Sequence, residues 1–200
     1  KANEENKMTR KKLKILLVAP PFLPIREDIT YGGIERILWE LDKAYTEREY
    51  DSSVAATADS KPIGRHLPTI ESSIGNFEIF NRDPLFLRLE HLAKVLEYAR
   101  IERYDVVHSH DDNLLPFHNL INSPTLLTLH SPYSDFWQER LHKRMANAGF
   151  NLVSVSMAVK REYDKENFPV RFVVHNGLDI EGFQYSGNKL NYLLSLGAIA

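Results

Sequence analysis

Cysteine is absent from the 200 residues, so the chain can hold no disulfide and no thiolate-bound metal. That fits a reducing compartment, and we expect a cytoplasmic protein. Charge of one sign is lacking too. Lys and Arg number 25 against 27 Asp and Glu, for a formal net charge of −2, which is not the strongly basic balance of a nucleic-acid-binding domain. No apolar run approaches the ~20 residues of a membrane-spanning helix, and no signal-peptide-like core stands out. Glycine is sparse where nucleotide folds use it most. Near the turn after the first apolar run the only glycines are Gly32 and Gly33, so neither the dinucleotide Gly-x-Gly-x-x-Gly nor the phosphate-loop Gly-x-x-x-x-Gly-Lys-Ser/Thr can be written there. No serine sits in a Gly-x-Ser-x-Gly elbow, which removes the usual serine-hydrolase signature. Asp-x-Asp is missing as well.

What is present has a clear rhythm. LKILLVAPP (Leu13 to Pro21) is an apolar run closed by Pro-Pro and predicts a buried strand. YGGIERILWE follows, with apolar residues at Ile34, Ile37, Leu38, Leu41 and Tyr45, the spacing of one helix face. SVAATA (Ser53 to Ala58) predicts a second strand, and the loop-rich stretch 61–81 holds a short candidate at FEIF. Pro84 opens a second helix pattern, with Leu85, Leu89, Leu92, Leu96 and Ala99 on one face. DVVHSH, TLLTLH, NLVSVS and VRFVVHNG then read as short strands separated by helical patterns. This alternation predicts an α/β fold: a Rossmann-like, mainly parallel sheet with helices on both faces. Three segments are expected: a polar lead-in over 1–12, part of it ahead of a start at Met8; the Rossmann-like domain over 13–180; and a linker with a first strand of a second domain over 181–200.

The polar clusters follow the strands. Gly32-Gly33, Asp59-Ser60, HSHDDN (His108 to Asn113), His130-Ser131, Ser154 with Ser156, and HNG (His175 to Gly177) each come after one of them. In an open parallel sheet those ends share one edge, where ligands bind. The glycine pair supplies a turn, or it opens a helix N-terminus to an anion. His108, His110 and Asp112 approximate a His-x-His-x-Asp-His metallohydrolase pattern, but its last position is Asn113. One strand end does not complete a metal site, so no metal is assigned. The simpler expectation buries His108 and lets His110 reach the crevice. His130 either caps its strand or belongs to the site. Asp59 reads as a loop or cap residue rather than a ribose ligand, and His66, His91, His118 and His142 read as surface or packing residues.

Taken in order, the Pro-Pro end of the first strand, YGGIER, TADS, DVVHSH, TLHSP, LVSVS, VHNGLD and YLLSLGAIA resemble the N-terminal half of family 4 glycosyltransferases, nearly throughout from Leu13 onward. The resemblance implies the two-domain GT-B fold and a retaining, hexosyltransferase-type enzyme of which this chain is half, inactive alone. It implies a nucleotide-sugar donor as substrate, with no cofactor, and an acceptor the sequence does not identify. It implies Gly32 and Gly33 at the donor phosphates, His130 as the catalytic histidine contacting the transferred sugar, and Asn176 and Gly177 lining the cleft. Tyr31, His110, Ser131 and Ser154 are further expected cleft residues.

The implied partner is a C-terminal donor-binding domain carrying the family's lysine and paired glutamates. No nucleic-acid partner is expected, and membrane contact through Lys11, Lys12 and Lys14 is open but not indicated. Two departures stand out. Leu196-Gly197-Ala198 lacks the arginine of the family's Leu-Gly-Arg, and Arg48-Glu49-Tyr50 replaces Arg-Gly-His at a turn. The missing cation gives weight to another reading, a non-catalytic domain of the same fold that binds a sugar or nucleotide or serves interaction.

Overall fold

The computed structural model describes residues 12–75, 83–133, 151–168, 170–179, 186–188 and 191. The elements run β1 (Lys14–Val18), α1 (Gly33–Glu47), β2 (Asp51–Ala56), β3 (Arg65–Pro68), α2 (Pro84–Ile101), β4 (Val106–Ser109), a 3-10 segment (Asp112–Leu120), β5 (Thr125–Leu129), β6 (Asn151–Ser154), α3 (Met157–Lys165) and β7 (Val170–Val173). The seven strands form one sheet in the order β3-β2-β1-β4-β5-β6-β7, and every pairing is parallel. The expected Rossmann-like α/β sheet is therefore present. Strand order reverses between β1 and β4, the point where such sheets open a crevice beyond their strand ends.

The continuous apolar run of β1 is explained by cover on both faces. Ile15 and Leu17 pack with Leu38 and Trp39 of α1, while Leu16 and Val18 pack with Leu92, Val95 and Ala99 of α2. Beyond β4, α3 covers one face through Val159 and Tyr163 against Leu127, Leu152 and Val170.

The expected helix faces hold in part: Leu38, Leu92 and Ala99 are buried, and Ile34, Leu41, Tyr45 and Leu96 pack against the core. On α1 the fully buried stripe also takes in Glu35, Trp39 and Asp42, and Leu41 and Tyr45 bridge the core and an open cleft to which Ile37 turns. On α2, Leu85 and Leu89 are exposed and Leu87, His91 and Val95 lie inside. Strand β3 was not expected. Its sequence, RHLP, carries little apolar signal, and it is defined by pairing with β2 at the sheet edge. The FEIF candidate, the expected strand at NYLLSLGAIA and nearly all of the lead-in and linker lie outside the described residues.

Buried Asp42 explains how α1 is fastened. Its carboxylate accepts from Ser52 Oγ at 2.6 Å, Ile63 N at 2.7 Å and Gly64 N at 2.9 Å. A Cβ on Gly64 would lie 2.6 Å from both Asp42 Oδ1 and the Ser52 carbonyl oxygen, so only glycine allows this approach. Asp42→Ala leaves those donors without an acceptor and should destabilise the chain by about 3 kcal/mol. A urea midpoint unchanged by the substitution would contradict that assignment.

The Arg48-Glu49-Tyr50 departure proves local. Tyr50 N donates to Tyr45 O at 3.0 Å and Glu49 N to Thr46 O at 2.9 Å, the bond pair of a Schellman ending. Glu49 occupies the left-handed position at φ 60, at a cost of roughly 1–2 kcal/mol relative to glycine. The turn forms all the same.

Candidate active site

The N-terminus of α1 follows the loop after β1, and its Ile34 borders the same hollow as His110 and His130 at the ends of β4 and β5. Gly32 is the N-cap, at φ 125 and ψ 96, and makes no side-chain cap. A Cβ there would meet Glu35 Oε2 at 2.6 Å and Leu23 Cδ1 at 3.0 Å. Gly33 differs. A Cβ on it would meet nothing within 4 Å. The fold demands glycine at 32 but not at 33, where the missing side chain keeps the first turn open.

Glu35, at the third helical position, was not foreseen. It is buried beneath Gly32; burial pushes its carboxyl pKa up, against a pull downward from its own backbone N–H. The inner face of the turn is thus occupied by the helix's own acid, and the outer face at Gly33 is free. The legible signal was spacing, since Glu35, Leu38, Trp39 and Asp42 fall at i, i+3, i+4 and i+7.

Three histidines form a row across β4 and β5. His108 Nε2 is 2.8 Å from Thr128 Oγ1, and its Nδ1 is 3.4 Å from the Tyr45 hydroxyl. His110 Nδ1 is 2.8 Å from His130 Nε2. Ring centroids are 4.4 Å apart for His108 and His110, and 5.0 Å for His110 and His130. Burial pushes His108 and His130 each down to about 4, with His130 adding to the effect on His108. Burial, then the two neighbouring rings, hold His110 well below the ordinary histidine range. All three rings are neutral at pH 7. The row therefore offers polar, uncharged contacts, and negative charge at this edge falls to backbone N–H groups such as those opening α1.

Behind the row, Asp111 accepts from Asn113 N at 3.0 Å and Asn113 Nδ2 at 2.7 Å. Burial outweighs these bonds and pushes its pKa up to about 6. Among the described residues, no group of three His, Cys, Asp or Glu is placed to hold a metal.

Two hollows share His110 and Thr128. The smaller, about 130 Å³, sits at the strand ends between Phe22, Ile34, Asp112, His130, Ser131 and Tyr163. The larger, about 520 Å³, runs along α1 past Tyr45, Arg48 and His108 to Asn176 and Gly177. It exists because α1 covers only β1 and its neighbours on that face.

The expected residues fall unevenly. His130 and Ser131 border the small hollow, Asn176 and Gly177 the large one, and His110 both. His110 is nevertheless buried, at 5% exposure, so it underlies the crevice instead of reaching into it. His108 is buried and partnered, as expected. Tyr31 is 73% exposed. Ser154 is fully buried and donates to Ser156 O at 3.1 Å, bracing the turn into α3. Asp59 accepts from Ser73 N and Oγ at 3.1 and 3.0 Å, a loop staple. His91 packs at 0% exposure with Nδ1 2.8 Å from Thr69 Oγ1.

The glycine pair yields a paired expectation. Gly32→Ala forces a side chain into a strained φ and onto Glu35, and should cost about 1–3 kcal/mol. Gly33→Ala should leave stability unchanged or raise it by a few tenths of a kcal/mol. Thermal melts of the two variants check this, and equal losses would contradict the division of roles.

The geometry defines an open parallel α/β sheet with a set of polar groups at its switch-point edge. Comparison places it more closely. The model of Glycosyltransferase Family 4 matches residues 31–181, and the chain belongs to that family. Its fold is shared with MurG of Acinetobacter baumannii, at a TM-score of 0.51 and 15% identity, over 84% of this chain and 46% of that one. The chain thus spans less than half the length of that protein. No curated protein matches the chain. No helix among the described residues is long and apolar enough to cross a membrane.

Proposed function

We propose that this chain is the acceptor-side domain of a retaining glycosyltransferase that moves a hexose from a nucleoside-diphosphate sugar to an acceptor hydroxyl. The observation that carries the reading is that the open first turn of α1, through Ile34, borders the same hollow at the strand ends as the neutral histidine row ending at His130. The turn at Gly33 presents N–H groups and the positive end of a helix dipole to the departing diphosphate. His130 hydrogen-bonds the transferred sugar. The segment through Asn176 and Gly177 borders the cleft against a second, C-terminal domain that supplies the greater part of the donor grip. The donor is a substrate, and the reaction is proposed to need no cofactor. A cysteine-free chain suits cytoplasmic work.

The test is transfer by the enzyme carrying both domains, assayed with UDP- and GDP-hexoses against hydroxyl acceptors. The product's anomeric configuration is read by proton NMR. Transfer with the donor's configuration kept is the expected result; an inverted product would overturn the retaining assignment. Tight sugar-nucleotide binding without any turnover would favour the non-catalytic reading.

A further inference from the structure

From the bond between the two site histidines we infer that His110 is a positioning residue that fixes His130 as the Nδ1–H tautomer. His130 then presents a hydrogen-bond donor, and never a bare nitrogen, to the ligand. The inference deepens the proposed reading and rests on it for its ligand, a sugar hydroxyl or phosphate oxygen.

His110 Nδ1 and His130 Nε2 are 2.8 Å apart, and two neutral rings share one proton across that gap. If His130 Nε2–H donated it, His110 would carry its own proton on Nε2. That atom is buried and has no hydrogen-bond partner among the described residues, so a donor would be orphaned in the interior. If His110 Nδ1–H donates, the orphan is a bare acceptor nitrogen. Buried unpaired N–H groups are the rarer of the two states. The proton therefore belongs to His110 Nδ1, His130 Nε2 accepts, and the remaining His130 proton must sit on Nδ1. His130 has no hydrogen bond among the described residues other than that to His110, and its ring borders the small hollow. Its Nδ1–H is left for the ligand.

The consequence is a restriction on the substrate. The group facing His130 must accept a hydrogen bond, as hydroxyl and phosphate oxygens do, and an ammonium group at that position is refused. His130 also cannot serve there as a general base, because the nitrogen facing the ligand is already protonated.

Long-range proton–nitrogen correlation spectra of the 15N-histidine-labelled 200-residue chain at pH 7 read the tautomer without any substrate. The expected pattern is a protonated Nδ1 and a bare Nε2 on His130, with the reverse on His110. An Nε2-protonated His130 would overturn the inference whatever the enzyme turns out to transfer. In the two-domain enzyme, His110→Phe should release His130 to both tautomers and lower kcat by roughly five- to tenfold, with the acceptor KM little changed. Unchanged tautomer populations in folded His110→Phe would equally overturn it. Should that variant fail to fold, the wild-type spectrum decides alone.

Discussion

In the enzyme carrying both domains, His130→Ala lowers kcat by roughly 10²-fold and leaves the melting temperature close to that of the parent. The two halves of this expectation have separate sources. One preorganised hydrogen-bond donor aimed at the reacting group is typically worth about 10²–10³-fold in rate. Stability changes little because His130 is only partly buried and spends one hydrogen bond on the fold, with His110. Such a bond contributes about 1 kcal/mol net, and water entering the space His130 vacates beside the open hollow can accept the His110 proton in its place. Steady-state kinetics beside a thermal melt separate the roles. A variant that keeps its specific activity and melts far earlier would show His130 to be a strand cap.

Acidification should unfold the chain well before its carboxylates titrate as a group. His91, His108 and His130 are each pushed down to about 4 by burial, and His110 lies well below its ordinary value. Their folded pKa values are below the unfolded value near 6.5, so between these limits the unfolded chain binds more protons. Stability is then complete above about pH 6.5 and falls as the pH drops toward 4. Two acids pull the other way. Asp111, raised to about 6, and Glu35, also raised, favour the folded state as the pH falls.

The histidines outnumber them, and the net loss is on the order of 5 kcal/mol, comparable with the whole stability of a small domain. Urea midpoints at pH 7, 6, 5 and 4.5 should fall steeply below pH 6. A flat profile from pH 7 to 5 would show that the buried rings do not hold their neutral form.

These buried ionisable groups mark where sequence reading succeeds and stops. Strands β1, β4, β5 and β6 were legible because burial on both faces demands apolar, β-branched runs, and the polar residue ending each run stands out against them. Parallel order followed from alternation with helices. Sequence did not reveal β3, whose RHLP gains its strand conformation only from pairing with β2. Nor did it reveal the polar residues on the inward faces of the helices, although Leu38, Leu92 and Ala99 were read correctly as inward. On α1 the inward stripe is bounded by Glu35 and Asp42 because each carboxylate meets backbone N–H groups inside the fold. Counting apolar residues misses both acids and adds Ile37, which borders the cleft. His110 was placed at the site by its position after β4, but its burial and its bond to His130 come from the neighbouring strand.

The central claim is that a nucleotide-sugar diphosphate meets this chain at the C-terminal edge of its sheet, with most of the grip supplied from elsewhere. A proton–nitrogen NMR titration of the 200-residue chain with a panel of UDP- and GDP-sugars tests it most directly. Shifts should gather at Gly33, His130, Ser131 and Asn176. Fitted dissociation constants should be no tighter than about millimolar, or roughly −4 kcal/mol, since a few amide bonds barely offset the entropy of association. Micromolar binding, or shifts centred on His118, Ser123 and Asn151 at the opposite hollow, would contradict the account.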